Sequence, residues 1–222
     1  MIPFVTLTCL AAPLQLDQQD DPQAQPTLLQ NVDTDVITPM QRIMTARRAD
    51  LGRYAFEPLR YLPGDGLIEN PDFVPNRAPY RDARVLIAGA NFGCGSSRET
   101  AVWAIQQMGY AALIAPGYGD IFYNNCLQSG LLPIVLNTPQ VLRCAELARR
   151  APIAEQLFTI DLAAQVVRLP DGSRYRFTIN PFRRQALLQG LDDIHLALSM
   201  RASIEQFEAD YAARRPFLTP TI

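Results

Sequence analysis

Residues 84–108 have the sequence RVLIAGANFGCGSSRETAVWAIQQM, and this stretch decides the fold. The apolar run from Arg84 to Ala88 predicts a buried strand. From Ala101 to Met108 the apolar side chains recur at helical spacing, which predicts a helix. A glycine-rich loop joins the two segments, so the stretch predicts a strand-loop-helix unit.

The loop of this unit carries groups that suit a bound anion. Gly93 and Gly95 allow tight backbone geometry and close approach of a ligand, and the first N–H groups of the following helix favour negative charge. The hydroxyls of Ser96 and Ser97 and the guanidinium of Arg98 add side-chain donors. Together these groups predict a receptor for a carboxylate or a phosphate.

A purely structural explanation of the same loop is also open. Serine is a favoured N-cap, so the loop also fits a capped helix with Glu99 in its first turn. Two nucleotide motifs are excluded. No lysine follows the second glycine as in a Walker loop, and no third glycine falls in the register of a dinucleotide fingerprint.

Composition narrows the classes of protein further. The chain has 222 residues, of which 48% are hydrophobic, and a formal net charge of -2. These values favour a globular protein and give no electrostatic footprint for nucleic acid. No stretch reaches the roughly eighteen apolar residues of a membrane span, and the start lacks the basic segment of a signal peptide. We therefore expect a cytoplasmic protein that does not bind membranes.

The cysteines predict no metal site in this chain. The four cysteines are widely spread and form no Cys-x-x-Cys pair, so neither a zinc knuckle nor a self-contained iron–sulfur site is indicated. They are Cys9, Cys94, Cys126 and Cys144. Free thiols in a reducing compartment explain them.

Five blocks, in order along the chain, resemble the small subunits of 3-isopropylmalate dehydratase, a family of the aconitase superfamily. Asn91 to Glu99 is similar to that family's Asn-Phe-Gly-Cys-Gly-Ser-Ser-Arg-Glu block, and Asn31 to Asp35 is similar to its early Asp-Thr-Asp block. The other blocks are Asp120–Phe122, Gly130–Pro133 and a C-terminal segment with Tyr175–Ile179, Phe182–Arg184 and Gly190–Asp192. The blocks cover most of the chain.

Local patterns predict an α/β fold. Strands at Tyr110–Ala115 and Leu131–Leu136 alternate with helices, which is typical of a parallel sheet. Three later strands include a hairpin with its turn at Pro170–Gly172. The resemblance implies a three-layer β/β/α swivelling domain of the aconitase C-terminal type. We expect one such domain over residues 1–222, with a surface insertion at about 15–28 and a helical C-terminal extension from about 181.

Some element boundaries can also be predicted. We expect residues 2–12 to form a first strand and a short helix to stop at Gly130. Thr138, followed by proline, is predicted to cap a helix that runs to about Arg149. Two helical stretches, Asp192–Leu198 and about Ala202–Arg214, are predicted to end the chain.

The resemblance implies an enzymatic function. Family members dehydrate and rehydrate a substituted malate, which moves a hydroxyl between adjacent carbons in the pathway to leucine. A 4Fe-4S cluster acts there as Lewis acid on the leaving hydroxyl. Because this chain lacks the cysteine set for a cluster, we expect a separate large subunit to hold it. This chain would then be half of an active site, with a small dicarboxylate as substrate.

The resemblance also assigns roles to loop residues. Ser96 would be the base that removes a proton from carbon, while Ser97 and Arg98 would hold a substrate carboxylate. The glycine-rich loop with Gly93 and Gly95 would supply backbone N–H groups that help to stabilise a serine alkoxide.

Asp35 is the candidate catalytic acid group of the early block. By its position in the motif it would orient or polarise catalytic groups through its charge and hydrogen bonds. A structural role is the alternative, since short polar side chains before Pro39 are also typical of turns.

Three departures from the family pattern leave the substrate open. Thr100 stands where the family usually has histidine, the insertion lengthens an early connection, and residues 42–70 match the family weakly. The sole histidine, His195, is far from the motif and is interpreted as structural. The alternatives are therefore the small subunit of a hydro-lyase for methyl- or dimethylmalate or of a homoaconitase, and a non-catalytic assembly partner.

Overall fold

The computed structural model describes residues 1–16, 27–64, 67–96, 98–150, 157–215 and 217. Its strands are β1 (Thr6–Cys9), β2 (Ala11–Pro13), β3 (Val85–Ile87), β4 (Ala112–Ala115), β5 (Leu132–Val135), β6 (Phe158–Asp161), β7 (Val166–Arg168) and β8 (Arg174–Arg176). Its α-helices are α1 (Thr34–Ile37), α2 (Met40–Thr45), α3 (Glu57–Arg60), α4 (Glu99–Gln107), α5 (Asp120–Ser129), α6 (Thr138–Arg150), α7 (Pro181–Gln189), α8 (Asp193–Ser199) and α9 (Arg201–Arg214). Short 3₁₀ helices cover Arg48–Tyr54, Val74–Asn76 and Tyr80–Asp82. Most of the insertion predicted at about 15–28 lies outside the described residues.

One sheet is parallel, with the strand order β2-β3-β4-β5. Val85 lies beside Ala11 on one side and beside Ala112 on the other. All four residues of β4 are buried, as expected for a parallel strand that is covered on both faces. The predicted strand-helix alternation is confirmed, and the carboxyl ends of these strands lead into the loops that carry the polar motifs.

The other sheet is antiparallel, with the order β1-β6-β7-β8. The predicted turn at Pro170–Gly172 is confirmed: the N–H of Gly172, at φ +84°, donates to the carbonyl of Leu169. The prediction of a single strand over residues 2–12 is wrong. The chain there changes sheets at Leu10, so β1 lies at one edge of the antiparallel sheet and β2 at one edge of the parallel sheet.

Alternate side chains of β3 face two separate apolar cores, which produces the layered architecture. Val85 and Ile87 pack in a core that also contains residues of α6 and of the antiparallel sheet, among them Phe158. Leu86 packs on the opposite side with residues of α4 and α5, including Val102. The parallel sheet is therefore the central layer, and the predicted β/β/α fold class is confirmed.

Helix ends follow local sequence signals with one exception. Gly130 ends α5 in a left-handed conformation, as predicted. The helix that was predicted to follow Thr138 begins at Thr138 itself, so its cap lies one residue earlier than predicted. The side chain of Asn137 accepts from the N–H of Gln140 at 3.0 Å, and the Gln140 side chain accepts from the N–H of Asn137 at 3.2 Å. This reciprocal capping pair replaces the predicted hydroxyl cap.

Two helices end the described part of the chain, as predicted. The carboxylate of Asp192 accepts from the N–H of His195 at 2.8 Å and so caps α8. Leu196 is the buried residue of α8, whereas α9 has no buried residue. None of the described helices is long and apolar enough to cross a membrane.

Candidate active site

The loop between β3 and α4 has a backbone that requires glycine. Gly93 has φ +71°, and a Cβ there would lie 2.3 Å from the ring of Phe122. Gly95 has φ +82° but faces more open space. Phe92 is fully buried and contacts the Phe122 ring edge-on, with ring centroids 5.4 Å apart. The loop therefore packs against an aromatic core on its buried side, and its backbone cannot shift without disturbing that core.

A second segment, residues 31–35, lies along this loop. The N–H of Gly93 donates to the carbonyl of Val32 at 2.7 Å, and the N–H of Thr34 donates to the carbonyl of Cys94 at 3.2 Å. The Thr34 hydroxyl donates to the carbonyl of Ser96 at 3.0 Å. Two motifs that are about sixty residues apart in sequence thus form one surface.

The same pairing places Asp35 next to the loop. Asp33 caps α1 by accepting from the N–H of Val36 at 2.8 Å, so Asp35 lies in the first turn of that short helix. Its carboxylate pairs with the Arg98 guanidinium at 2.8 Å. The Arg98 side chain is 23% exposed and that of Asp35 is 58% exposed, so the ion pair lies at the protein surface with one side open to a ligand.

The N-terminus of α4 faces this ion pair. Arg98 is the N-cap residue, in extended conformation, and no side chain makes a cap hydrogen bond there among the described residues. Ser96 lies two residues before the N-cap and is exposed, so it does not cap the helix. Ser97 lies outside the described residues. The first N–H groups of α4 have no side-chain partner in the described loop, which suits an anionic ligand.

The next two residues of the helix differ in how they are bonded. Glu99 accepts from the hydroxyl of Ser129 at 3.3 Å, which connects the start of α4 to the end of α5. The Oγ1 atom of Thr100 is buried and has no hydrogen-bond partner in the described chain. A buried hydroxyl without a partner is unfavourable, so Thr100 is a local weak point beside the loop.

The cysteines do not form a site for an iron–sulfur cluster. Burial raises the pKa of the Cys9 thiol to about 11 and that of Cys144 to about 12. Burial also raises the pKa of Cys126 well above its usual value. Cys94, in the loop, is half-buried, and the described residues contain no group of three or more potential metal ligands. Because cluster ligands are thiolates converging on one point, the donors of this chain do not fit such a group.

Residues 48–54 lie along α4, a contact that the sequence did not reveal. The Arg48 guanidinium lies over the ring of Trp103, 3.5 Å from its centroid. At the far end of the helix, the Gln107 side chain accepts from the N–H of Gly52 at 2.7 Å and donates to the Arg48 carbonyl at 2.8 Å. A Cβ on Gly52 would lie 2.4 Å from that of Gln107. This close approach explains the glycine, but no local pattern indicates its partner.

Arg42, in the preceding helix α2, is held by a residue of α3. It forms two hydrogen bonds with the Glu57 carboxylate, at 2.7 and 2.5 Å. These bonds raise the pKa of Arg42. The bidentate geometry ties α2 to α3, so Arg42 has a structural partner within the chain.

The candidate site is open to solvent, and a defined cavity lies elsewhere. A cavity of about 570 Å³ beside β1 is lined by residues such as Val5, Arg84 and Tyr110 and shares none with the loop. Gly95 and Ser96 are exposed. A site that excludes water therefore needs a cover beyond the described residues.

Comparison with known proteins gives a consistent result. The model of the aconitase C-terminal domain family matches residues 18–139, and a second model, described as LeuD_N, matches residues 156–181. The chain is 46% identical over 215 residues to the 3-isopropylmalate dehydratase small subunit of Paramagnetospirillum magneticum, covering 97% of this chain and 98% of that protein. It is 48% identical over 200 residues to the protein of the same name from Methylibium petroleiphilum, covering 87% and 92%.

A solved structure has a similar fold. The crystal structure of 3-isopropylmalate dehydratase from Methanocaldococcus jannaschii matches with a TM-score of 0.59. The match covers 91% of this chain and 99% of that one, at 23% sequence identity. This likeness supports the three-layer fold described above.

Proposed function

Because this chain belongs to the 3-isopropylmalate dehydratase small-subunit family, with the aconitase C-terminal domain, we propose that it supplies half of the active site of this hydro-lyase. The reaction isomerises 2-isopropylmalate and 3-isopropylmalate through 2-isopropylmaleate, a step of leucine biosynthesis. The enzyme is complete only with a large subunit. The single observation that carries the assignment of residues is the Arg98–Asp35 ion pair beside the exposed Ser96 at the start of α4.

Arg98 is proposed to bind a substrate carboxylate. A guanidinium has five N–H donors in one plane, and the Asp35 carboxylate is 2.8 Å from one of its nitrogens. The donors on the other side remain for a second carboxylate, which a planar fork can bind with two parallel hydrogen bonds. Asp35 then acts as a positioning residue that fixes the plane of this fork. Ser97 is proposed to add a hydroxyl contact to the same carboxylate.

Ser96 is proposed as the base. Its Oγ, as the alkoxide, takes the proton from the substrate carbon next to the one that carries the hydroxyl. The electron pair of that C–H bond forms the double bond, and the hydroxyl leaves with the electron pair of the C–O bond, for which a Lewis acid on the large subunit would be the acceptor. Rehydration reverses these events with the hydroxyl on the neighbouring carbon.

A serine alkoxide needs stabilisation, because the hydroxyl of serine is a poor acid in water. The positive end of the α4 dipole and the Arg98 guanidinium provide it on this chain. Gly95 is exposed and lets the loop backbone approach the ligand, whereas Gly93 is buried and its N–H already donates to the Val32 carbonyl. The Thr34 hydroxyl, bonded to the Ser96 carbonyl at 3.0 Å, holds the serine backbone in place.

The large subunit is proposed to hold the 4Fe-4S cluster that membership of the aconitase superfamily implies for the enzyme. The dispersed, mostly buried thiols of this chain support that division. The four free cysteines also suit a reducing compartment, so we propose the cytoplasm as the location of the complex.

The test is hydration of 2-isopropylmaleate by this chain alone, by its anaerobically prepared large subunit alone, and by the mixture. We expect activity only in the mixture. A panel of methyl-, dimethyl- and isopropyl-substituted malates and homoaconitate, given to the same mixture, tests the substrate. Activity on another substrate but not on isopropylmalate would overturn the substrate assignment. No activity on the whole panel, with the cluster intact, would overturn the catalytic role.

A further inference from the structure

The last two helices present an apolar surface to solvent. We call it the C-terminal face and define it by its large side chains, all of them exposed. They are Ile194 and Leu198 of α8 and Ile204, Phe207 and Tyr211 of α9. Ile194 is 71% exposed and Phe207 is 66% exposed. Exposed aromatic and aliphatic side chains grouped in this way are typical of protein interfaces.

The α9 helix needs more support than the described residues provide. It has 14 residues, and all are exposed except Ala212, which is half-buried. A helix of this length is only marginally stable alone in water, and most helices in proteins are stabilised by packing of an apolar face. The apolar residues Ile204, Phe207 and Tyr211 are three and four positions apart, so they lie along one side of the helix.

This side of α9 and the facing side of α8 form a groove. Its volume is about 540 Å³, and Ile194, Leu198 and Ile204 line it together with the charged Arg201 and Glu205. The rings of Phe207 and Tyr211 stack next to each other, with centroids 5.8 Å apart. An apolar groove with charged edges is a surface into which side chains of another protein can insert.

The C-terminal face is connected to the candidate active site by described contacts. Glu99, next to Arg98, bonds to Ser129 at the end of α5. The neighbouring Gln128 donates to the Asp193 carboxylate at 3.1 Å, at the start of α8. The end of α5 thus bridges the start of α4 and the start of α8. A protein that covers the catalytic loop and extends past the start of α4 along the end of α5 therefore reaches the start of α8.

We propose that the C-terminal face is a docking surface for the large subunit and that α9 is stabilised by this contact. The proposal rests on the function proposed above, because that function requires a large subunit over the loop. The large subunit is favoured as the occupant because the loop must be covered for catalysis, and the end of α5 links the start of α4 beside that loop to the start of α8. Phe207 and Ile194 are expected to be the main anchors, since they are the most exposed apolar side chains of the face.

The test measures the Kd between the full chain and its cluster-loaded large subunit by sedimentation or surface binding. The variants are Phe207→Ser and Ile194→Ser, with Ile68→Ser as the matched control. Ile68 is 64% exposed, close to the exposure of Phe207, and is not part of the C-terminal face. Far-UV circular dichroism of each variant checks that the fold is retained. The kcat is measured with the large subunit at saturating concentration.

We expect each face variant to weaken binding at least about 10-fold, while the control binds as the parent does. The kcat at saturation should stay unchanged, because these residues do not contact the catalytic loop. If the parent activates the large subunit and the face variants keep the parent Kd, this inference is overturned and the proposed function stands. If the variants instead abolish self-association of the free chain with no effect on that Kd, a second copy is the occupant and the inference is likewise overturned. If the parent itself fails to bind, both this inference and the proposed function are overturned.

Discussion

The catalytic loop and helix α9 are opposites in how the chain supports them. The loop is bonded on one side to residues 31–35 and packs on the other against the buried ring of Phe122. The α9 helix has no buried residue and leaves Phe207 exposed. Both regions lie next to the surface that the large subunit is proposed to cover.

The difference shows which property each region contributes. A group that moves a proton must be held within a fraction of an ångström, so its support has to come from its own chain before the partner arrives. A docking helix can become ordered when the partner binds, because the free energy of association offsets the entropy cost of fixing the helix. Changes in the loop should therefore alter chemistry or stability, whereas changes in α9 should alter only assembly.

The largest expected effect is the loss of catalysis that the Ser96→Ala substitution causes in the complex. Removal of a general base typically lowers the rate by about 10²–10⁴-fold, and we expect kcat of the complex to fall by about 10³-fold or more. The free energy of unfolding should not change, because Ser96 is exposed. Steady-state kinetics with matched urea titrations check both statements. An unchanged kcat would remove Ser96 from the mechanism.

The next effect is on stability by Gly93→Ala. The added Cβ would lie 2.3 Å from the Phe122 ring at a backbone φ of +71°, so both overpacking and backbone strain apply. We expect about 3 kcal/mol of destabilisation in urea unfolding.

The control for that variant is Gly172→Ala. Its φ is +84°, but nothing lies within 4 Å of the added Cβ, so the substitution adds backbone strain without overpacking. We expect about 1 kcal/mol there. Equal losses in the two variants would show that the Phe122 contact does not hold the loop.

A smaller effect of opposite sign is expected for Thr100→Val. The change replaces a buried hydroxyl that has no hydrogen-bond partner in the described chain by a methyl group of the same shape. We expect a gain of about 1 kcal/mol in the free energy of unfolding, with kcat of the complex retained. A loss of stability would show that the hydroxyl has a partner, and a loss of kcat would give it a role in the proton network.

The smallest effect is expected for Phe207→Ser in the free chain. Because the side chain is mostly exposed, the free energy of unfolding should change by less than about 0.5 kcal/mol. Urea unfolding of the isolated subunit measures this. A loss of several kcal/mol would show that α9 is packed as firmly as the loop, and the contrast between the two regions would disappear.

The parts of the structure that follow local rules could be predicted from sequence. The strand and helix of residues 84–108 have a strong pattern of apolar side chains on either side of the glycine loop. The turn at Gly172 and the end of α5 at Gly130 follow from the φ values that glycine permits. The proximity of Asp35 to Ser96 came from the family resemblance. The structure explains it by the hydrogen bonds between residues 31–35 and the loop.

Other features depend on contacts between distant residues and left no local signal. The division of residues 2–12 between two sheets is set by which strands receive β1 and β2. The contact of Gly52 with Gln107 joins residues 55 positions apart. Tertiary packing decides between such locally equivalent alternatives.

The position of β1 has a consequence for how the protein is made. β2 can pair once Val85–Ile87 has been synthesised, but β1 pairs with β6, where Thr6 lies opposite Asp161. β1 therefore stays without this neighbour while the residues between β1 and β6 are synthesised, and its unpaired edge can meet other chains in the meantime. A fusion partner or affinity tag placed before Thr6 would lengthen this waiting segment. One placed at the other end of the chain would leave it as it is.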